Sequence, residues 1–427
     1  MADTNITVPF LINGREVNTP STFPVISPLT TKGCWKAVSA TPSQAIEAVE
    51  AAQPAFPSWA KSKPSVRSAI LLKAADIMET NIEEYAGYMM DEMGADRGTA
   101  RYFVTPLAIA MCRDLAGRIS SICGSVPAVT QEGQTSRNAP YVFGIRSAAT
   151  AIATGNTTVL KSSELTPRCY WTIGKALKEA GLPEGVFNII SCRLEDALLV
   201  VNATIKHPAV RIINFTGSAS TGRKVARVCA ESLKPCLMEL GGKNAAIVLE
   251  DADLEKAASE CLAGAFLNAG QIFMGTDRIL AQYSIGPQFI SALNAHHSAT
   301  AKQLASLPNI ISTASKPRLA NLVSDALSHG AQLVAGKGSH DQTGVPGTSF
   351  VPTILGNVNS SSKINSTPYG LSAAVFIKGL RRGFAIAKKL DTGAVHINSM
   401  TSSGWGRFNA DEGMDEFLVK KCVTLDD

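Results

Sequence analysis

The chain has 427 residues, 45% of them hydrophobic and 18% charged, with 34 glycines and 21 prolines. That is ample for large buried cores in two or three domains and excludes a disordered or fibrous chain. The 40 basic and 35 acidic residues leave a net charge of +5, but no basic run exceeds two residues, as at Arg381-Arg382 and Lys388-Lys389, so neither nucleic acid nor a membrane is an expected partner.

In chain order, the opening "MADTNITVPF" lacks the basic head and apolar run of a signal peptide, and no apolar stretch is long enough to span a bilayer. With nine cysteines, an odd number and no Cys-x-x-Cys pair, scattered free thiols in a reducing compartment are expected, without a disulfide framework or a metal site. The expected location is cytoplasmic. After an irregular start, residues 41–56 and 65–81 carry apolar residues at helical spacing. "TTVL" (157–160) predicts a buried strand, and Thr166-Pro167 starts a helix that Gly181 and Pro183 stop. Strands at 186–190 and 210–215 follow, with helices near 195–201 and 219–232. This alternation predicts a parallel sheet flanked by helices. A second set begins near residue 240: strands at 244–249, 278–282 and 370–376, and helices from Asp253 and over 317–329. The paired glycines of "CLMELGGKN" (236–244) mark the expected break.

Three stretches carry candidate chemistry. "FTGSASTG" (215–222) follows a strand and opens a helix, where Gly217 and Ser218 could offer backbone N–H groups and the helix dipole to a phosphate. A plain turn has the same spelling. "VLKSSE" (159–164) puts Lys161 and Glu164 just beyond a neighbouring strand, the place where open α/β sheets bind ligands. Lys161 suits a phosphate or ribose and Glu164 a ribose hydroxyl, with a surface salt bridge as the alternative. Glu239, before two glycines in "MELGGKN", could act as a general base or be an exposed glutamate beside a turn.

Together these motifs resemble the NAD(P)-dependent aldehyde dehydrogenases over nearly the whole chain. The wording is closest to members acting on aromatic aldehydes such as salicylaldehyde or vanillin. Glu239-Leu240-Gly241-Gly242-Lys243 with Asp251-Ala252-Asp253, and "FLNAGQI" followed by "MGTDRI" (266–279), carry the likeness. The fold it implies is α/β: a Rossmann-type cofactor domain over 1–237, a second α/β catalytic domain over 238–400, and a tail over 401–427. In the family a cysteine thiolate attacks the aldehyde, an asparagine amide stabilises the oxyanion, hydride passes to the nicotinamide, and a glutamate activates water. Here Asn138 matches the asparagine, Glu239 the glutamate, and Phe273 falls on the cysteine. Lys161, Ser163, Glu164, Gly217, Ser218, Gly222 and Leu240 match the cofactor contacts. The implied ligands are NAD, with NADP not excluded because only Glu164 argues against a 2′-phosphate, and a small aldehyde. The family also implies an oligomer, through a strand near 124–131 and the tail, formed by identical copies or with an intact relative.

Three further departures accompany the missing thiol. "TQEGQTSRNAPY" (130–141) lacks an apolar strand, "VNSSSKINSTPYGLS" (358–372) lacks the glutamate that holds the nicotinamide ribose, and "INSMTSSGWG" (397–406) joins parts that a loop separates in the family. Losses at three places fit wrongly drawn intron boundaries, whereas the cysteine-to-phenylalanine exchange fits decay of the gene. Cys261, twelve residues before Phe273, is expected on the same helix and about 18 Å away at 1.5 Å per residue, too far to substitute. Phe273 is expected to crowd a channel built for a smaller side chain.

Overall fold

The computed structural model describes residues 6–121, 139–303, 307–338, 345, 347–359 and 370–401. Asn138, the expected oligomerisation strand near 124–131, the stretch 360–369 and the tail beyond Thr401 lie outside the described residues.

Short strands that the sequence reading missed open the chain: β1 (Thr7–Val8), β2 (Phe10–Ile12), β3 (Arg15–Val17), β4 (Thr22–Ile26) and β5 (Gly33–Val38). Asn13 and Gly14, at φ 50° and 70°, turn β2 into β3 with Ile12 opposite Arg15, an Asn-Gly hairpin signal present in the sequence. Helices follow: α1 (Pro42–Ala60), α2 (Pro64–Thr80), α3 (Ile82–Met93), α4 (Thr105–Arg118) and α5 (Pro140–Ala153). Thr41 caps α1 with a reciprocal box to Gln44, satisfying two otherwise orphaned N–H groups. Most of α5 is buried, in one core with residues of α2, α3 and α4.

Strand and helix then alternate through β6 (Thr158–Lys161), α6 (Pro167–Glu179), β7 (Phe187–Ile190), α7 (Ala197–Lys206), β8 (Ile213–Gly217), α8 (Ala219–Glu231) and β9 (Cys236–Leu240). The later set is β10 (Ala245–Val248), α9 (Leu254–Phe266), β11 (Arg278–Ala281), α10 (Gly286–Gln303), α11 (Ser315–Ser328), β12 (Gln332–Ala335), β13 (Ile354–Gly356), β14 (Ser372–Phe376), α12 (Leu380–Ala387) and β15 (Ala394–Ile397).

The predicted parallel pairing is present between β6 and β7 and between β8 and β9, and throughout the sheet β11-β10-β14-β15. Two details differ from the expectation. The strand expected at 210–215 starts at Ile213, and β9 pairs with β8 over Cys236–Leu240, so a boundary between residues 237 and 238 would cut through β9. Among the described residues β6 belongs to the sheet β3-β2-β7-β6 and β8 to the separate pair β8-β9. Just after β6, Ser162 Oγ, and within β8 both amide atoms of Asn214, are buried with no hydrogen-bond partner among the described residues.

Upstream of the site, the start of α6 is held by a buried acid. Glu92 accepts from the backbone N–H groups of Arg168 (2.9 Å) and Cys169 (3.0 Å) and from Trp35 Nε1 (2.9 Å). Burial outweighs these donors and pushes the carboxyl up from 4.5 to about 7. Because the folded value lies above the unfolded one, the folded state binds the extra proton, and this contribution is complete below about 4.5 and lost as pH rises through about 7. The shift corresponds to about 3 kcal/mol. The stability difference between the parent and Glu92→Gln, followed by urea unfolding from pH 4.5 to 8, should therefore fall by roughly 2–3 kcal/mol. A flat difference would mean that Glu92 ionises as it does in the unfolded chain.

Candidate active site

Helix α9 ends at Phe266, and Asn268, Ala269 and Gly270 follow in left-handed conformation, with φ of 51°, 58° and 69°. Only the glycine adopts this without strain. Phe273 therefore does not lie on the helix of Cys261, and the distance argument that assumed a continuous helix does not hold. Chemistry excludes the substitute instead. Cys261 is fully buried, and burial, then the charge of Glu260, pushes its thiol up to about 12, so the nucleophilic thiolate is suppressed.

The segment after the kink is latched from several sides. Gln271 accepts from Ile311 N–H (2.8 Å) and donates to the carbonyls of Asn268 and Asn309 (both 3.2 Å). Asn244, buried just before β10, donates to the carbonyls of Phe273 (2.6 Å) and Gly275 (3.0 Å) and accepts from Ser372 N–H (3.0 Å). One amide thus joins the segment to the start of β14.

The Phe273 ring is 6% exposed and clusters with Met274, Leu371, Phe143 and Ile272. Its centroid lies 6.2 Å from that of Phe143 at a tilt of 59°, an ordinary aromatic spacing. The ring is thus packed in a small apolar cluster. One turn along α5, the Arg146 guanidinium stands 5.2 Å over the Phe143 ring. Burial brings Arg146 down to about 10, and the charge of Glu239 opposes that shift. Glu239 is 4% exposed and sits on β9 opposite Thr216, so it is not a surface glutamate beside a turn. Its attraction to Arg146 offsets part of the cost of burying both charges.

Arg146, Phe143 and Phe273 thus form a chain of ring contacts, with the charge of buried Glu239 felt at Arg146. Sequence reading missed Arg146, Phe143 and Asn244. The available signal was Arg146, the only charged residue in "PYVFGIRSAATAIA".

The expected cofactor contacts fall into two groups. At the end of β6, Lys161 donates to the carbonyl of Ser162 (2.9 Å) and lies 3.7 Å from the Glu164 carboxylate, while Ser163 Oγ accepts from Leu165 N–H. At the end of β8, Ser218 caps α8 by accepting from Thr221 N–H (3.2 Å), and the next N–H groups lie in the helix's open first turn. Gly217 pairs with Leu240 across the ladder. A Cβ on Gly222 would come within 2.6 Å of the Leu240 side chain, so this glycine lets Leu240 lie against α8. Tyr170 lies on α6, between Glu164 and Arg146 in the electrostatics. Its phenol is raised mainly by burial and feels the charges of both Arg146 and Glu164.

The profile of the aldehyde dehydrogenase family matches residues 15–365 and 362–423. The chain belongs to the aldehyde dehydrogenase family. A vanillin dehydrogenase from a Pseudomonas species is 34% identical over 479 aligned positions, covering 98% of each chain. The crystal structure of a salicylaldehyde dehydrogenase from Pseudomonas putida superposes with a TM-score of 0.88 at 28% identity, over 97% of this chain and 96% of that one. An aldehyde dehydrogenase from Bacillus cereus solved as an NAD+ complex gives 0.87 at 25% identity, over 97% and 95%.

The extent of the match bears on the missing segments. An alignment of 479 positions against a chain of 427 residues leaves at least 52 positions with no residue in this aldehyde dehydrogenase family member. The two pieces of the family match overlap at residues 362–365, inside the stretch 358–372. No described helix is long and apolar enough to cross a membrane.

Proposed function

We propose that this chain is an NAD(P)-dependent aldehyde dehydrogenase by descent whose turnover is lost or severely impaired. The observation that carries the proposal is the buried Phe273 ring on the segment whose family counterpart supplies the nucleophile. A phenyl ring neither attacks a carbonyl nor moves a proton, and losing one member of a cooperating catalytic set costs on the order of 10⁶ in kcat. General-base work by Glu239 returns about 10²–10⁴ at most. Asn138 is proposed as the oxyanion donor.

The residues present fit the adenosine end of a nicotinamide dinucleotide. The open first turn of α8 at Gly217–Ser218 suits the pyrophosphate, with Gly222 and Leu240 shaping that turn and Lys161, Ser163 and Glu164 placed for the ribose. A bound dinucleotide supplies a hydride acceptor. Glu164 favours NAD, since a carboxylate repels a 2′-phosphate. With the ribose-holding glutamate missing at the other end, ADP-ribose should bind about as tightly as NAD, and calorimetry giving NAD a much tighter Kd would contradict this.

The deciding assay follows NAD(P)H formation with benzaldehyde-type and aliphatic aldehydes. The expected result is no rate above background. Slow turnover abolished by Glu239→Ala would favour the impaired enzyme over a non-catalytic partner, and turnover as brisk as that of intact relatives would overturn the proposal. The second reading, a non-catalytic cytoplasmic partner assembling with itself or with an intact relative, rests on the same scaffold without its nucleophile. It would gain from co-purification with such a relative in the absence of turnover.

A further inference from the structure

We propose that Cys229 and Cys236 form a reversible disulfide site that bolts the last turn of α8 to the first residue of β9. The turn between them folds the chain back on itself. Cys229 carbonyl accepts from the N–H groups of Ser232 (3.1 Å) and Lys234 (2.9 Å), and Leu233 adopts φ 51°. Cys236 consequently returns beside Cys229. Both cysteines lie in one small apolar cluster with Ile205, Val225 and Val228. Cys34 and Cys112, by contrast, give their thiols to the backbone carbonyls of Val25 and Leu71.

Exposure sets the order of events. Cys229 is fully buried, and burial, then Cys236, pushes its thiol up to about 11, with Lys234 opposing. Cys236 is only half-buried and is the thiol that a hydroperoxide can reach. Its sulfur, giving up its proton, attacks hydrogen peroxide; the O–O bond breaks, one water leaves, and Cys236 becomes a sulfenic acid. Cys229 then gives up its proton and attacks that sulfur; the S–O bond breaks and a second water leaves. Two thiols lose two electrons and one peroxide becomes two waters.

The consequence reaches the candidate site through covalent structure alone. β9 carries Glu239 and Leu240, while α8 begins at the Ser218 turn. The inference does not depend on the proposed loss of turnover, and its test requires no activity.

The full chain is treated with hydrogen peroxide, quenched by alkylation under denaturing conditions and digested with trypsin. Trypsin spares the Lys234–Pro235 bond, so both cysteines stay in the peptide 228–243. The expected product is that peptide unalkylated and about 2 Da lighter than the dithiol, with both alkylation sites regained after dithiothreitol treatment. In Cys229→Ala, Cys236 should stop at the sulfenic acid and be trapped by dimedone; in Cys236→Ser, Cys229 should remain alkylatable. Recovery of the parent peptide with both cysteines alkylated would overturn the proposal. So would a Cys236 sulfinate beside an intact Cys229 thiol.

Discussion

Phe273→Cys is expected to yield a protein with one new thiol that labels with iodoacetamide and forms thiohemiacetals, yet makes NAD(P)H slowly. The substitution removes a ring packed among Phe143, Met274, Leu371 and Ile272. Truncating a buried aromatic costs about 3 kcal/mol or more, within the total of about 5–15 kcal/mol available to a domain. The latch on the backbone remains, because Asn244 bonds the carbonyl of residue 273 and not its side chain. The new sulfur would share a buried region with Arg146 and Glu239. Against the roughly 10⁶ lost with a nucleophile, recovery should be partial, since hydride transfer depends steeply on orientation and the proposed reading leaves the nicotinamide ribose without its glutamate. Turnover as brisk as that of intact relatives would mean that the missing segments are harmless. A folded variant whose thiol resists alkylation would mean a closed pocket and favour the assembly-partner reading.

Asn244→Ala should be the most destabilising single truncation near the site. It strands the carbonyls of Phe273 and Gly275 and the N–H of Ser372, all bonded by one buried amide. At roughly 1–3 kcal/mol for each unsatisfied buried group, the loss is about 3–9 kcal/mol. Urea unfolding should show a markedly lower midpoint, with near-ultraviolet circular dichroism reporting loosened packing around Phe273. A loss under about 1 kcal/mol would mean that water replaces the amide.

Much of this was legible in the sequence, for identifiable reasons. Strands β6, β7, β10 and β14 are short apolar runs bounded by turns, and α8 and α9 are each preceded by a capping side chain, Ser218 and Asp253. Helix α5 escaped notice because it is apolar on nearly every side, and a buried helix carries little periodicity. Strands β2 and β3 are three residues each, too short for alternation to register, although the Asn13-Gly14 turn marked them. Strand β13 is likewise only three residues long. At the site, the resemblance supplied Glu239 and Phe273 as expectations. The charge interaction of Glu239 with Arg146 and the triple role of Asn244 join residues distant in sequence, and only the folded chain brings them together.

The division between β6 and β8 also bears on how the molecule opens. Strands within one ladder share hydrogen bonds, so loosening one weakens its neighbours, and cooperative units of opening tend to follow such supersecondary groups. Among the described residues no ladder runs from β6 to β8; the β8–α8–β9 unit meets α7 through a small cluster around Ile205, Val225 and Val228 and through Lys234, which donates to the carbonyls of Ile205 and His207, whereas β7 lies against an extensive core. If this unit opens ahead of the global core, Glu239 opens with it, and amide hydrogen exchange should be faster over β9 than over β7.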